Sequence, residues 1–456
     1  GYVPSPGDSF EIVTCGSRKN EFFEIKNNMS EIGITLVPTY TETGLTLTVA
    51  AASGNVCKIG ATEYATLDAA LTVVQSGDTI KLLETINYNS GIVIEDKRIT
   101  FDLNGFTLNV VNSAEAGTAE EMSGLFVIGD AAVDLVDLSG AGELNVTGSW
   151  YGVYAASSDD ETDSVTNKNT SVTVTNALGH KYAGAMAFNA KVTVKGNVAS
   201  DAGGYGVGAN FQHADVSVEG NVTAGGDGCI GVLPNSSAKI TVKGSVTVSG
   251  YNSEGIVAYD RGEAIVENDI TASGTGSIGI NSWSSNVTAG GNVTGDYGGI
   301  NASGSEVDIT GDVRTLGFDV NNYGVCATSF SHIYVEGDVR SNEKGAVIWA
   351  EDNETPSTIV IGGVIEAPKY VQIGTETLDF TDGRHTTTEY GCYIIYEDPD
   401  NIYVGAVGVA EYAGGSGSVE DPYLVVHADQ LYNVRNHLDK HFRQTANINL
   451  SDYNTG

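Results

Sequence analysis

The densest group of side chains that could bind a metal ion is an acidic run, S-S-D-D-E-T-D-S. Carboxylate oxygens are the ligands that Ca²⁺ prefers in proteins. The run therefore suggests a weak Ca²⁺ site, and a solvated loop that bulges from a repeat is the alternative. Ca²⁺ is the only cofactor that the sequence suggests. The candidate ligands are Asp159, Asp160, Glu161 and Asp163.

Two histidines, His437 and His441, lie four residues apart. At this spacing two imidazoles share one face of a helix, but the zinc-protease signature also needs a glutamate directly after the first histidine. Leu438 occupies that position. The pair is therefore interpreted as the surface of a helix end. Because paired carboxylates and regularly placed arginines are also missing from the motifs, the sequence predicts no catalytic residue.

Several aromatic residues near the repeated strands could form a carbohydrate-binding stripe, or could instead pack at the corners of coils. They are Trp150, Tyr151, Tyr154, Tyr205, Trp283 and Trp349. Asn-x-Ser/Thr sequons supply candidates for N-glycosylation, although a Thr-rich strand after an Asn turn produces the same letters. The sequon candidates are Asn145, Asn169, Asn221, Asn286 and Asn292.

Charge and cysteine usage narrow the function classes. The chain has 22 Lys and Arg against 58 Asp and Glu, a net charge of −36. This charge repels phosphate backbones and anionic lipid surfaces, so nucleic-acid binding is not predicted. No stretch approaches the roughly 18 apolar residues needed to span a bilayer, so membrane insertion is not predicted either. The five cysteines are widely spaced and form no C-x-x-C pair, which argues against zinc. A disulfide between Cys15 and Cys57 is left open.

An internal repeat is the strongest structural signal. The segments V-T-V-K-G-N-V, V-S-V-E-G-N-V and I-T-V-K-G-S-V end at Val198, Val222 and Val246, in steps of 24 residues. Looser copies follow, ending at Ile270, Val293, Val313, Val339 and Val364. Between them recurs a second element, such as G-Y-G-V, E-G-I-V-A or G-A-V-I-W. Short strands stacked at this period predict a right-handed parallel β-helix with about three strands per coil of roughly 20 to 26 residues.

Side-chain alternation within the repeat predicts which residues form the core. Successive side chains on a strand point to opposite faces. Val192, Val194 and Val198 should therefore face the interior, and Thr193 and Lys195 the solvent. The Gly-Asn, Gly-Ser and Gly-Asp pairs are expected to supply positive φ angles or tight bends at the turns.

A cap is predicted before the coils, because a solenoid must cover its open end. Residues 64–75 read as an amphipathic helix with Thr66 as N-cap, and buried positions at Leu67, Ala70, Leu71 and Val74. A G-D-T-I strand and the ladder I-T-F-D-L-N-G-F-T-L-N-V follow. This order resembles the opening of pectin-lyase-like β-helix domains in large bacterial surface proteins.

The ends of the chain resemble parts of further modules. Residues 414–456 contain G-S-G-S-V-E-D-P-Y-L-V, a helix candidate at Ala428–Leu438 and T-A-N-I-N-L-S, and look like the start of an adhesin repeat. Residues 1–51 resemble the closing strands of a preceding β module. We expect the β-helix over 52–380 and a β-rich connection over 381–413. Because the two ends are complementary, head-to-tail assembly into filaments is a hypothesis, with a piece of a longer multi-module chain as the alternative.

The resemblance implies an extracellular, cell-surface protein of the adhesin or structural type. Its partners would be other copies of itself, neighbouring modules, or glycans and other cell-surface components. Polysaccharide lyases and glycoside hydrolases share the β-helix fold, so a carbohydrate-active enzyme is the alternative function.

Overall fold

The computed structural model describes residues 8–14, 36–41, 43–49, 54–157, 169–349, 357–363, 365–373, 376–378, 386–387, 393–397, 402–406, 416–425, 431, 434–445 and 448. These residues are nearly all in strands and turns, and the chain divides into two compact units, residues 1–199 and 200–456. The all-β parallel solenoid predicted from the repeat is confirmed.

The first unit has two short helices, α1 (Leu67–Val73) and α2 (Ala119–Met122). Its strands are β1 Ser9–Thr14, β2 Leu36–Thr41, β3 Gly44–Val49, β4 Cys57–Ile59, β5 Thr62–Tyr64, β6 Thr79–Leu82, β7 Ile86–Tyr88, β8 Ile92–Glu95, β9 Arg98–Asp102, β10 Thr107–Asn112, β11 Leu125–Ile128, β12 Ala132–Val136, β13 Glu143–Gly148, β14 Tyr151–Ala156, β15 Ser171–Val174, β16 Asn176–Gly179, β17 Ala183–Phe188 and β18 Lys191–Val194. Strand β19 (Val198–Ser200) contains the boundary between the units.

Each coil of the first unit contributes one strand to each of three parallel sheets. Sheet A is β8-β11-β14-β17, sheet B is β6-β9-β12-β15-β18, and sheet C is β7-β10-β13-β16. Strand β4 pairs antiparallel with β5 and β6. Strands β1, β3 and β2 form a separate antiparallel sheet.

The cap helix forms where the sequence predicts it, but it is shorter than 64–75. The Thr66 hydroxyl accepts a hydrogen bond from the Ala69 N–H at 3.2 Å, which confirms the predicted N-cap. Leu67, Ala70 and Val74 are buried, and Leu71 is half-buried. Only seven residues are helical, because Val74 already has an extended ψ.

The second unit repeats the same three-sheet plan. Its strands are β20 Tyr205–Asn210, β21 Asp215–Val218, β22 Val222–Gly225, β23 Ile230–Asn235, β24 Lys239–Val242, β25 Val246–Ser249, β26 Glu254–Tyr259, β27 Glu263–Val266, β28 Ile270–Ala272, β29 Ile278–Trp283, β30 Asn286–Ala289, β31 Val293–Gly295, β32 Gly298–Ser303, β33 Glu306–Ile309, β34 Val313–Thr315, β35 Tyr323–Thr328, β36 His332–Val335, β37 Val339–Arg340, β38 Lys344–Ile348, β39 Thr358–Ile361, β40 Ile365–Glu366, β41 Lys369–Ile373, β42 Glu376–Leu378, β43 Thr386–Thr387, β44 Tyr393–Glu397, β45 Ile402–Ala406, β46 Tyr423–Val425 and β47 Phe442–Gln444.

Sheet A of the second unit runs from β20 to β41, sheet B from β21 to β39 and sheet C from β22 to β40, each taking every third strand. The pairings within these sheets are parallel. Antiparallel strands follow the coils, with β42 on β41, and β45 on both β39 and β44.

The predicted core is confirmed: Val192, Val194 and Val198 are all 0% exposed. Of the two roles predicted for the turn glycines, the tight bend is the one observed, since Gly244, Gly311 and Gly337 all lie in bends. Gly244, Gly311 and Gly337 are all outside the positive-φ region. A Cβ on Gly337 would lie 2.6 Å from the carbonyl oxygen of Gly311 in the previous coil. Glycine is needed here because the backbones of stacked turns approach too closely for a side chain.

The Asn, Ser or Asp after each turn glycine also joins coils. The Asn292 Oδ1 accepts a hydrogen bond from the Asp312 N–H at 2.8 Å, and the Asp312 Oδ1 accepts one from the Asp338 N–H at 2.9 Å. The Asn221 Oδ1 accepts one from the Ser245 N–H at 2.9 Å. These side chains satisfy turn N–H groups that no strand ladder reaches.

A second glycine column makes room for the core. A Cβ added to a sheet A glycine would lie only 2.3–2.6 Å from a γ-carbon of the valine or isoleucine that enters the interior from sheet C. The glycines are Gly231, Gly255, Gly279, Gly299 and Gly324, and they face Val246, Ile270, Val293, Val313 and Val339. The interior is therefore filled by branched side chains packed directly on bare backbone.

Candidate functional site

The candidate Ca²⁺ ligands Asp159, Asp160, Glu161 and Asp163 lie outside the described residues. Among the residues that are described, no group of three or more His, Cys, Asp or Glu side chains is arranged to hold a metal ion. Ca²⁺ binding by the acidic run stays a prediction.

The two histidines do not share a helix face. Among the described residues of the predicted 428–438 helix, Leu431 is helical and Val434–Asn436 forms a 3₁₀ turn. His437 closes that turn, and the N–H of His441 donates to the Gly417 carbonyl at 3.0 Å. The chain has therefore left the helical path before His441, which removes the geometry needed for a paired imidazole site.

The sequon asparagines differ in how their side-chain amides are used. Asn169 and Asn286 are exposed, the latter at the start of β30. Asn221 and Asn292 are exposed turn residues whose side-chain oxygens accept hydrogen bonds from the next coil. Glycosylation of all of these residues stays a prediction.

Asn145 belongs to a ladder of asparagines along sheet C of the first unit. The Asn109 amide donates to the Asn87 Oδ1 at 2.8 Å, the Asn145 amide donates to the Asn109 Oδ1 at 3.1 Å, and the Asn176 amide donates to the Asn145 Oδ1 at 2.8 Å. Both ends of the Asn145 amide are therefore engaged. An N-linked glycan at Asn145 would have to break this ladder, so Asn145 is the least suitable of the described sequons.

The aromatic candidates of the first unit pack against one another. Tyr154 stacks on Phe126 with ring centroids 4.8 Å apart, and Tyr151 contacts Tyr154 edge-on at 5.1 Å. Tyr151 and Tyr154 are 5% and 3% exposed. Trp150 lies beside Tyr182 at 6.4 Å. In this unit the packing interpretation holds for Tyr151 and Tyr154, since rings so deeply buried have little surface for a ligand.

The aromatic candidates of the second unit lie on the outward side of sheet A. Three positions per strand alternate with those that enter the interior, and together we call them the outer face. The outer face comprises, strand by strand from β20 to β38, Tyr205, Gly208 and Asn210; Ile230, Leu233 and Asn235; Glu254, Val257 and Tyr259; Ile278, Asn281 and Trp283; Gly298, Asn301 and Ser303; Tyr323, Cys326 and Thr328; and Lys344, Val347 and Trp349.

One edge of the outer face carries stacked rings. Tyr259 and Trp283 are partners on adjacent coils, with ring centroids 4.7 Å apart and planes 14° from parallel. Ser303 and Thr328 continue this column as small hydroxyl residues. On the next coil Ile348 pairs with Ala327, so the following residue, the half-exposed Trp349, continues the column after Thr328. Three coil steps of about 4.8 Å separate Trp283 from Trp349, or roughly 14 Å. The column thus has small hydroxyl residues between two indoles.

A polar chain lies beside the stacked rings. The Asn301 amide donates to the Asn281 Oδ1 at 2.9 Å, and the Asn281 amide donates to the Glu254 Oε1 at 2.5 Å. Burial raises the pKa of the Glu254 carboxyl, and the bond from Asn281 opposes that rise. The hydrogen bonds fix these side chains in place next to the rings.

The outer-face polar residues were missed in the sequence. The segments E-G-I-V-A, S-I-G-I-N and G-G-I-N-A are recognisable as strands, but Glu254, Asn281 and Asn301 belong to one surface only once the coil register is known. Aligning the outward positions of successive coils would have brought them together, since coil lengths of 24 and 20 residues are visible in the repeat.

The cysteines whose surroundings are described are free and buried. Cys57, Cys229 and Cys326 carry no disulfide, whereas Cys15 and Cys392 lie outside the described residues. Burial raises the pKa of Cys57 to about 11 and that of Cys326 to about 12. The open question of a Cys15–Cys57 bridge is answered at Cys57, whose thiol is free in this structure and lies 4.0 Å from the Thr66 carbonyl oxygen.

Comparison of the chain with protein-family models, with curated proteins and with solved structures finds no significant match. Within the described residues, no helix is both long and apolar enough to span a bilayer.

Proposed function

We propose that this chain is a non-enzymatic, extracellular adhesin-type protein whose β-solenoid displays a glycan-binding surface, and that this surface is the outer face of the second unit. The observation that carries the proposal is the stacked Tyr259–Trp283 pair beside the hydrogen-bonded chain from Asn301 to Glu254.

Sugars present apolar C–H faces and a rim of hydroxyl groups. An aromatic ring packs on the C–H face, and fixed amide and carboxylate groups form hydrogen bonds with the hydroxyl groups. Trp283 and Asn281 are two residues apart on β29, so a ring and an amide point from the same strand to the same side. The parallel sheet holds both rigidly, which lowers the entropy lost on binding.

The carboxylate content of the outer face favours binding over hydrolysis. Glycoside hydrolysis uses a pair of carboxylates on either side of the scissile bond. Among the outward positions of β20 to β38, Glu254 is the only carboxylate. Its oxygen is already bonded to the Asn281 amide. A polysaccharide lyase or glycoside hydrolase would have to place its site elsewhere on the chain.

The extracellular surface location rests on the module resemblance in residues 1–51 and 414–456 and on the net charge of −36, which favours solubility. Head-to-tail association of copies, or of neighbouring modules, remains part of the proposal as the means by which such surfaces are repeated.

The test pairs two assays on the full chain. A glycan panel measures binding, and release of reducing ends or unsaturated uronides from a polysaccharide panel measures turnover. The proposal expects binding to a subset of glycans with no turnover. Robust turnover, or no binding to any glycan at high protein concentration, contradicts it.

A further inference from the structure

The outer face contains one lysine, Lys344, that is almost completely buried. It begins β38 and is 7% exposed. Its partners in the parallel ladder are Tyr323 on one side and Lys369 on the other. Lysine is among the residues least often buried without a partner, because removing an ammonium group from water is costly.

No carboxylate of the described residues lies within 4.0 Å of the Lys344 ammonium. The neighbouring Glu343 is engaged by Lys369, whose Nζ is 3.0 Å from its Oε2. Burial, and then the charge of Lys369, lower the pKa of Lys344. The charges of Glu343 and Asp319 oppose that lowering, but within the described part of the chain no carboxylate forms an ion pair with this buried cation.

One aromatic ring lies beside this cation. The Lys344 Nζ lies over the Trp349 ring, 5.8 Å from its centroid, and Trp349 is 44% exposed. The ring of Tyr323, the ladder partner of Lys344, lies across Gly298, where a Cβ would be 2.6 Å from the ring. Tyr297 packs edge-on against Tyr323 at 5.5 Å. The ammonium is therefore next to an indole that is open to solvent.

We infer that Lys344 and Trp349 form a subsite for the carboxylate of an acidic sugar, with the ammonium bonding the carboxylate and the indole packing on the sugar ring. This inference rests on the proposed glycan-binding function and names the ligand class at one end of the outer face. One ammonium matches the single charge of a carboxylate, and a charge-assisted hydrogen bond is about twice as strong as a neutral one. The aromatic neighbour adds recognition of a ring that a free inorganic anion would lack.

The experiment measures affinity of the full chain for matched oligosaccharides, one with a carboxylated sugar, one with the same sugar as its methyl ester, and one sulfated. The variants are Lys344→Met and Trp349→Ala. The control is Lys243→Met, which removes the same charge from a half-exposed lysine paired with Glu219 at 2.6 Å. Far-UV circular dichroism and melting temperature verify that each variant is folded.

We expect Lys344→Met to weaken the carboxylated ligand at least tenfold, about 1.4 kcal/mol, and to leave the methyl ester unchanged. Trp349→Ala should weaken both ligands, and Lys243→Met neither. Affinity for the carboxylated ligand should also fall as pH rises through the lowered pKa of Lys344, and this fall should be absent in Lys344→Met.

Equal binding of acid and ester by the native chain, unchanged binding by Lys344→Met, or a preference for the sulfated ligand would overturn the subsite while leaving the glycan-binding function standing. Failure of every glycan, acidic and neutral, to bind would overturn both.

Discussion

Replacing Gly279 by alanine tests the packing of the interior directly. The added Cβ would lie 2.6 Å from the Cγ1 of Val293 and 2.7 Å from the carbonyl oxygen of Gly299. Ordinary contacts begin near 3.4 Å. The methyl group is thus several tenths of an ångström too close to two groups at once. The carbonyl belongs to the next coil and cannot rotate away without breaking the sheet A ladder.

Overpacking by one carbon costs about 1–3 kcal/mol, and the fixed backbone places this site in the upper half of that range. A Gly→Ala change also stabilises by about 0.4–1 kcal/mol through the unfolded chain. The net expectation is a loss of about 1–2.6 kcal/mol. Gly225→Ala is the matched control, since its Cβ would meet nothing closer than 3.8 Å and its φ is not positive. That variant should be stabilised by about 0.4–1 kcal/mol.

Urea unfolding followed by far-UV circular dichroism measures both variants against the native chain. The midpoint should move down for Gly279→Ala and up for Gly225→Ala. If both midpoints moved in the same direction by the same amount, the close approach of sheet C side chains to the sheet A backbone would not explain why glycine is required at position 279.

Three further predictions concern other parts of the molecule. Cys326, whose pKa is about 12, should resist thiol reagents at pH 8 in the native state and react on unfolding, which peptide mass spectrometry can follow; labelling of native protein would contradict its burial. Arg340 forms ion pairs with the carboxylates of Asp312, Asp338 and Glu366. Arg340→Ala leaves these carboxylates to repel one another, so it should lower the melting temperature, and more so at low than at high salt. A loss of melting temperature that does not depend on salt would contradict this explanation. If copies associate end to end, removing residues 414–456 should abolish large species in sedimentation velocity, and a full-length chain that stays monomeric at high concentration would refute this association.

The solenoid was predictable because its signal is repeated. Valines at alternating positions followed by a turn, in steps of 24 residues, define both the strand faces and the stacking period. The sequence does not reveal why the same residue types recur at successive turns. Gly337 is needed for the approach of another coil, and Asn292 for a hydrogen bond to the next one, and both are long-range effects.

The candidate site was predictable only in part. The sequence offers Trp283 and Trp349 as aromatic candidates, but it offers Tyr151 and Tyr154 equally, although these two pack against other rings. The residue type alone does not indicate whether a neighbouring coil covers an aromatic side chain. Lys344 gave no signal, because its burial depends on Trp349 and on the coil that carries Tyr323.

The glycan-binding role of the outer face can be decided by one affinity comparison. For a glycan that binds the full chain, isothermal titration should show at least a tenfold weaker affinity for Trp283→Ala and an unchanged affinity for Trp150→Ala, since Trp150 is a half-buried indole of the first unit next to Tyr182. A tenfold change corresponds to about 1.4 kcal/mol, which is within the contribution expected of one aromatic platform. Unchanged affinity in Trp283→Ala, or an equal loss in Trp150→Ala, would contradict the assignment of the binding surface to the outer face.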